Sequence, residues 1–211
     1  MAPGWPPPYP PRTMAEPSRL CLVLERVSEE VHEPEFVATL PLVGFEAFVT
    51  GSRVFGWVRL DADRLTDMLN AHEELQLANV LVEHLDGGAT VTADEAIVRR
   101  GELIAVRAGS PRGDAARREP TLTHPVIVES GPYLVGGHLH AAPGVDPMTR
   151  MRGRGPMVPL TTAWIAYRPG ADDLRDRVGT IIVNRELATR IELVTEQELA
   201  EARLSPLAIS G

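Results

Sequence analysis

Val54-Phe55-Gly56-Trp57-Val58-Arg59-Leu60 and Tyr133-Leu134-Val135-Gly136-Gly137-His138-Leu139 are the stretches that decide the fold. In the first, Val54, Gly56, Val58 and Leu60 fall on one face of a strand, because side chains alternate along an extended backbone. In the second, Val135, Gly137 and Leu139 occupy the same places 81 positions later. The correspondence runs on: Leu65, Met68 and Leu77 precede Met148, Met151 and Leu160 by 83 positions, and Ile97-Val98, Glu102 and Leu103 precede Ile181-Ile182, Glu186 and Leu187 by 84. Offsets that drift so little predict one fold used twice, with small loop insertions in the second copy.

Working outward, the boundaries read as a proline-rich tail over 1–19, a first copy over 20–108, a linker over 109–122, a second copy over 123–194, and a terminal helix and tail over 195–211. The tail holds Trp5-Pro6-Pro7-Pro8-Tyr9-Pro10-Pro11, which favours extended polyproline II and offers Trp5 and Tyr9 as aromatic anchors for a groove. Leu20-Cys21-Leu22-Val23-Leu24 reads as a short buried strand and Glu25 to His32 as a helical turn. Asp63 to Asn70 reads as a short helix capped by Asp63, and its counterpart opens on Asp146-Pro147 and ends near Gly153. Strands are expected over 77–85, 96–106, 160–167 and 180–191, with Asp86-Gly87-Gly88 and Arg168-Pro169-Gly170 as turns. Thr195-Glu196-Gln197-Glu198 is a capping box opening a last helix, which is expected to cover a sheet edge.

Composition narrows the function classes. The chain has 211 residues, 44% of them hydrophobic and 24% charged, enough to bury a core. All 21 basic residues are arginine, yet the net charge is −8, which opposes phosphate backbones at long range and disfavours general nucleic-acid binding. The single Cys21 has no intrachain disulfide partner, and no apolar run approaches the roughly 20 residues of a membrane span. A cytoplasmic protein without membrane attachment is the expectation.

Ala78-Asn79-Val80-Leu81-Val82-Glu83 is similar to the end of the first motif of Sm-like small β-barrels, and Ile97-Val98-Arg99-Arg100-Gly101-Glu102-Leu103-Ile104 is similar to their second. The likeness covers residues 48 to 106 and, through the repeat, 125 to 191. It implies a mainly β protein of two tandem Sm-like antiparallel barrels, each with a short inserted helix, plus the C-terminal helix. The Arg64-Leu65-Thr66-Asp67-Met68-Leu69-Asn70 insertion resembles a bacterial branch of such domains more than their RNA-binding members. The resemblance also implies an RNA pocket at Asn79, Arg100 and Gly101, where the second copy offers Thr162 and Asn184-Arg185-Glu186.

Chemistry-bearing patterns are sparse. His138 and His140 share a strand face at a spacing two metal ligands could use, but no third ligand is near in sequence, so neither metal nor other cofactor is expected. Asp61, Asp63 and Asp67, like Asp172, Asp173 and Asp176, fit caps and turns, and no glycine pattern marks a nucleophile elbow or a phosphate loop. No catalytic residue is therefore assigned. Arg150, Arg152 and Arg154 form a basic cluster suited to an acidic protein partner. The sequence thus predicts a non-enzymatic interaction or assembly module that self-associates or binds protein through its barrel edges, the alternative being single-stranded RNA or nucleotide binding.

Overall fold

A computed structural model describes residues 40–85, 87–109, 120–153, 155–167 and 175–204, with backbone alone at 150 and 175–177. The tail with Trp5 and Tyr9, the strand expected at 20–24, the helical turn after it, most of the linker, Asp86, Arg154 and the turn at 168–170 lie outside the described residues.

The expected mainly β architecture is present, the described residues forming a single antiparallel sheet of ten strands with three short α-helices. The first five strands are β1 (Leu42–Val49), β2 (Ser52–Arg59), β3 (Glu74–His84), β4 (Val91–Arg99) and β5 (Ala105–Arg107), with helix α1 (Leu65–Ala71) between β2 and β3. The second five are β6 (Leu122–Ser130), β7 (Tyr133–Ala141), β8 (Met157–Tyr167), β9 (Arg175–Asn184) and β10 (Arg190–Leu193), with α2 (Pro147–Gly153) between β7 and β8 and α3 (Glu196–Leu204) at the end. Across the sheet the order is β10-β6-β7-β8-β9-β5-β1-β2-β3-β4. Each set of five therefore has its fifth strand beside its first, and the two sets meet where β9 pairs with β5.

Local sequence explains the bend in each half. In β3 the buried positions are Leu75 and Leu77, then Val80 and Val82, so the alternation skips a beat between them. In β8 Val158 and Leu160 give way to Ala163 and Ile165 with the same skip. The extra residue is Asn79 in one strand and Thr162 in the other, and both adopt a left-handed backbone, φ 50° and 49°. These are β-bulges, which let both ends of a bent strand bury the same face. The facing positions are glycines: a Cβ on Gly56 would lie 3.2 Å from the Ala78 carbonyl, and one on Gly137 would lie 3.1 Å from that of Thr161.

The helices close the cores. Leu65, Met68 and Leu69 of α1 are buried, each worth about 1.5–3 kcal/mol of apolar transfer. The N-cap position of α1 is Arg64, one residue after the expected Asp63, and Arg64 makes no side-chain cap bond. Asp146 does cap α2, accepting from the Thr149 hydroxyl and from the Thr149 amide, each at 2.9 Å, and these bonds, the hydroxyl's first, hold its carboxyl below the usual carboxylate range. The capping box of α3 is formed, with the Thr195 amide donating to Glu198 at 2.7 Å and the Glu198 amide donating to the Thr195 hydroxyl at 3.2 Å.

Three expectations need correcting. The strand expected over 96–106 is two strands, broken by a 3₁₀ turn at Arg100–Glu102 that moves the chain from β3 to β1, and the stretch 180–191 divides likewise into β9 and β10. Strand pairing equates Ala96 with Ile181 and Arg100 with Arg185, since Leu77 faces Ala96 as Leu160 faces Ile181; the closing strands are thus 85 positions apart, one more than the side-chain match suggested. Finally, α3 covers a sheet face, with Leu199 packed on Leu134, Trp164 and Ala166, because its one buried leucine matches the apolar outer face of β7 and β8.

Candidate functional site

Among the described residues the sheet leaves two strands with one unpaired side each, β4 and β10. What such an edge accepts is visible inside the chain, where β5 pairs with β9 through Ala105–Val183, Val106–Ile182 and Arg107–Ile181. Around this inner joint the halves exchange core residues. Met157 and Ile182 of the second half sit in the core of the first, and Phe48, Ile104 and Ala105 of the first sit in the core of the second. Tyr133 fixes the seam: its hydroxyl donates to the carbonyls of Val49 at 2.8 Å and Ser52 at 3.3 Å, and its ring packs against Phe48 and Tyr167.

A polar clamp completes the joint. Asn70, at the end of α1, donates to the Met157 carbonyl at 2.9 Å and accepts the Met157 amide proton at 3.0 Å. The Asn184 side chain donates to the Arg100 carbonyl at 3.2 Å. Replacing Asn70 by alanine strands both backbone groups of buried Met157, so Asn70→Ala is expected to lower unfolding free energy by about 1–3 kcal/mol. Urea denaturation with an unchanged midpoint would show the clamp to be dispensable.

The residues singled out in the sequence take distinct places. Arg100 does not meet Asn79. Its guanidinium donates to the carbonyls of Asn70 at 3.2 Å and His72 at 3.3 Å, satisfying the free carbonyls at the end of α1. Arg185 does the equivalent for Gly155 at 3.4 Å, so the same arginine serves the same end in both halves. Gly101 lies in the exposed 3₁₀ turn. Asn79 is the exposed bulge residue and lines a hollow of about 400 Å³ with Gly44, Phe55, Trp57 and Arg107. Charge there is balanced, since Glu46 pairs with Arg53 at 2.6 Å and with Arg107 at 3.1 Å.

Arg152 is exposed on α2 and lines a second hollow of about 290 Å³, with Met148, Met151, Arg185, Arg190 and Ile191. Of Arg150 only the backbone is described, in the same helix. This hollow adjoins β10, a neighbourhood that sequence reasoning missed because Arg152, Arg185 and Arg190 come from separate segments. His138 bonds Glu196 of α3 at 2.9 Å, while His140 lies between the hydroxyls of Thr121 at 2.9 Å and Thr161 at 2.7 Å. Burial, followed by the neighbouring His138, holds the His140 ring below the usual histidine value. Among the described residues no group of three or more His, Cys, Asp or Glu is placed to hold a metal ion, and no described helix is long and apolar enough to cross a membrane.

Comparison with models of known families, with curated proteins and with solved structures gives no match to this chain.

Proposed function

We propose that the chain is a non-enzymatic protein-interaction and assembly module, its two five-strand units each a small Sm-like barrel, that joins partners by strand addition at its open edges. The observation that carries this is the inner joint, where the fifth strand of one unit is continued by the fourth strand of the other. The strands left unpaired among the described residues, β4 and β10, are the fourth strand of the first unit and the fifth of the second. They are thus the two complementary halves of one more such joint. Backbone groups on an open edge are satisfied by an incoming strand, and side chains on alternate faces then set which strand fits.

Size-exclusion chromatography with light scattering over a wide concentration range tests this reading. The expected result is a mass above one chain that falls on dilution. A single-chain mass throughout, together with no crosslink through β4 or β10, would overturn it.

A further inference from the structure

The repeat builds the same outer sheet face twice, and the two differ in what lies on them. In the second half, Leu134, Trp164 and Ala166 are buried against Leu199 of α3. Phe55 faces Leu81 as Gly136 faces Trp164, so the matching face of the first half carries Phe55, Trp57 and Leu81. There Trp57 is 46% and Leu81 37% exposed, against 5% for Trp164, so no described segment covers this face as α3 covers the other.

The hollow of about 400 Å³ lies on the uncovered face. Trp57 stands across from Gly44 on one neighbouring strand and Ala78 on the other, so no bulky side chain faces its indole. Gly44 and Gly109 also line the hollow, and a Cβ on either would meet no atom within 4 Å. Phe55 is held in place: the Arg53 guanidinium lies 4.9 Å from its ring centroid and is anchored by Glu46 at 2.6 Å. Fixed rings beside bare backbone need little reordering to take a ligand. The Trp57 indole N–H and the Asn79 side-chain amide bring hydrogen-bond donors to the same place.

Rings and donors on a sheet face favour one backbone form. A strand needs an edge, and β1 and β2 are paired on both sides. A helix has its interior carbonyls satisfied, whereas polyproline II keeps its carbonyls free to accept and presents prolyl rings to aromatic ones. The chain carries such a segment in Trp5-Pro6-Pro7-Pro8-Tyr9-Pro10-Pro11. The described chain opens at Leu40, and Gly44 is the third residue of β1. Positions 12–39 lie between, and at up to about 3.3 Å per residue they reach the hollow with slack.

We propose that this hollow is a polyproline II site and that its occupant is the chain's own segment 5–11. With three residues per turn, Trp5, Pro8 and Pro11 share one edge of the segment, which meets Trp57 and Phe55, while Tyr9 lies on the next edge. Tethering makes the contact intramolecular, so it forms at any protein concentration, and a proline-rich partner has to displace it. The site lies apart from β4 and β10, and its failure would leave strand addition standing.

Acrylamide quenching of tryptophan fluorescence in the full chain tests it. The tryptophans are Trp5, Trp57 and Trp164, of which Trp164 is buried. Trp5→Phe keeps an aromatic anchor and leaves Trp57 as the emitter that quencher can reach, and Trp57 is expected to be shielded equally at every protein concentration. Trp5→Ala/Tyr9→Ala is expected to raise quenching several-fold with circular dichroism unchanged. A peptide of residues 3–14 carrying Trp5→Phe is expected to restore the shielding, and to add none once Gly44→Leu fills the hollow. Equal quenching in Trp5→Phe and Trp5→Ala/Tyr9→Ala, or a peptide that shields nothing, would overturn the site. Shielding in Trp5→Phe that fades on dilution would overturn the own-chain occupant in favour of the segment of a second copy.

Discussion

Tyr133→Ala is expected to lower the unfolding free energy by about 3–5 kcal/mol, the range for removing a large buried aromatic ring. Tyr133 is 0% exposed and lies on the seam between the halves, its ring centroid 5.7 Å from that of Phe48 and 5.2 Å from that of Tyr167. Its loss opens a cavity bounded by both halves, so the two cores lose support together. Tyr133→Phe keeps the packing and removes only the hydroxyl, so a loss of about 1 kcal/mol is expected. Burial, reinforced by Tyr167 and opposed by Arg53, also pushes the phenol of Tyr133 well above its ordinary value of 10.0. The folded chain therefore holds this proton more tightly than the unfolded chain, and stability falls as pH rises past the unfolded value. Tyr133→Phe should remove that share of the alkaline loss. Urea titrations at neutral and alkaline pH measure both effects, and equal midpoints for Tyr133→Ala and the parent would refute the seam's importance.

The second large effect is expected at Gly136. A Cβ there would lie 2.3 Å from the Trp164 indole, closer than atoms pack, so Gly136→Ala must push the ring outward. Trp164 is buried under α3 beside Leu199, and the displaced ring lifts the helix as well. Overpacking of this kind costs about 1–3 kcal/mol. The first half solves the same position with the sizes exchanged, since Phe55 faces Leu81 where Gly136 faces Trp164. The double change Gly136→Phe/Trp164→Leu should therefore recover stability that Gly136→Phe alone loses, a coupling that a double-mutant cycle reads directly. Strict additivity of the two changes would mean that the pair does not share one space.

Much of the fold was legible because alternation and capping are local. Val54 to Leu60 and Val135 to Leu139 announced their strands, and Asp146 and Thr195 announced their caps, since these residues act within one turn or one strand. The one-residue slip in the closing strands was not legible: Ile97-Val98 resembles Ile181-Ile182 in side chains, while the backbone pairs Ala96-Ile97 with that place. A signal for the bulges was present in the shift from Leu75-Leu77 to Val80-Val82, and it identifies Asn79 by its place between them. The candidate site was harder, because an open edge is a property of the whole sheet. Arg152, Arg185 and Arg190 come from separate segments and line one hollow only once the strands are placed.

That joint also has an arithmetic consequence. Because two units are tied into every chain, a circle closed through β10 and β4 always contains an even number of them, and odd-membered circles are shut out. Seams within a chain would alternate with seams between chains around it, so its rotational order would be half its unit count. Such a circle would open only where one chain meets the next, and subunit exchange would proceed in whole chains.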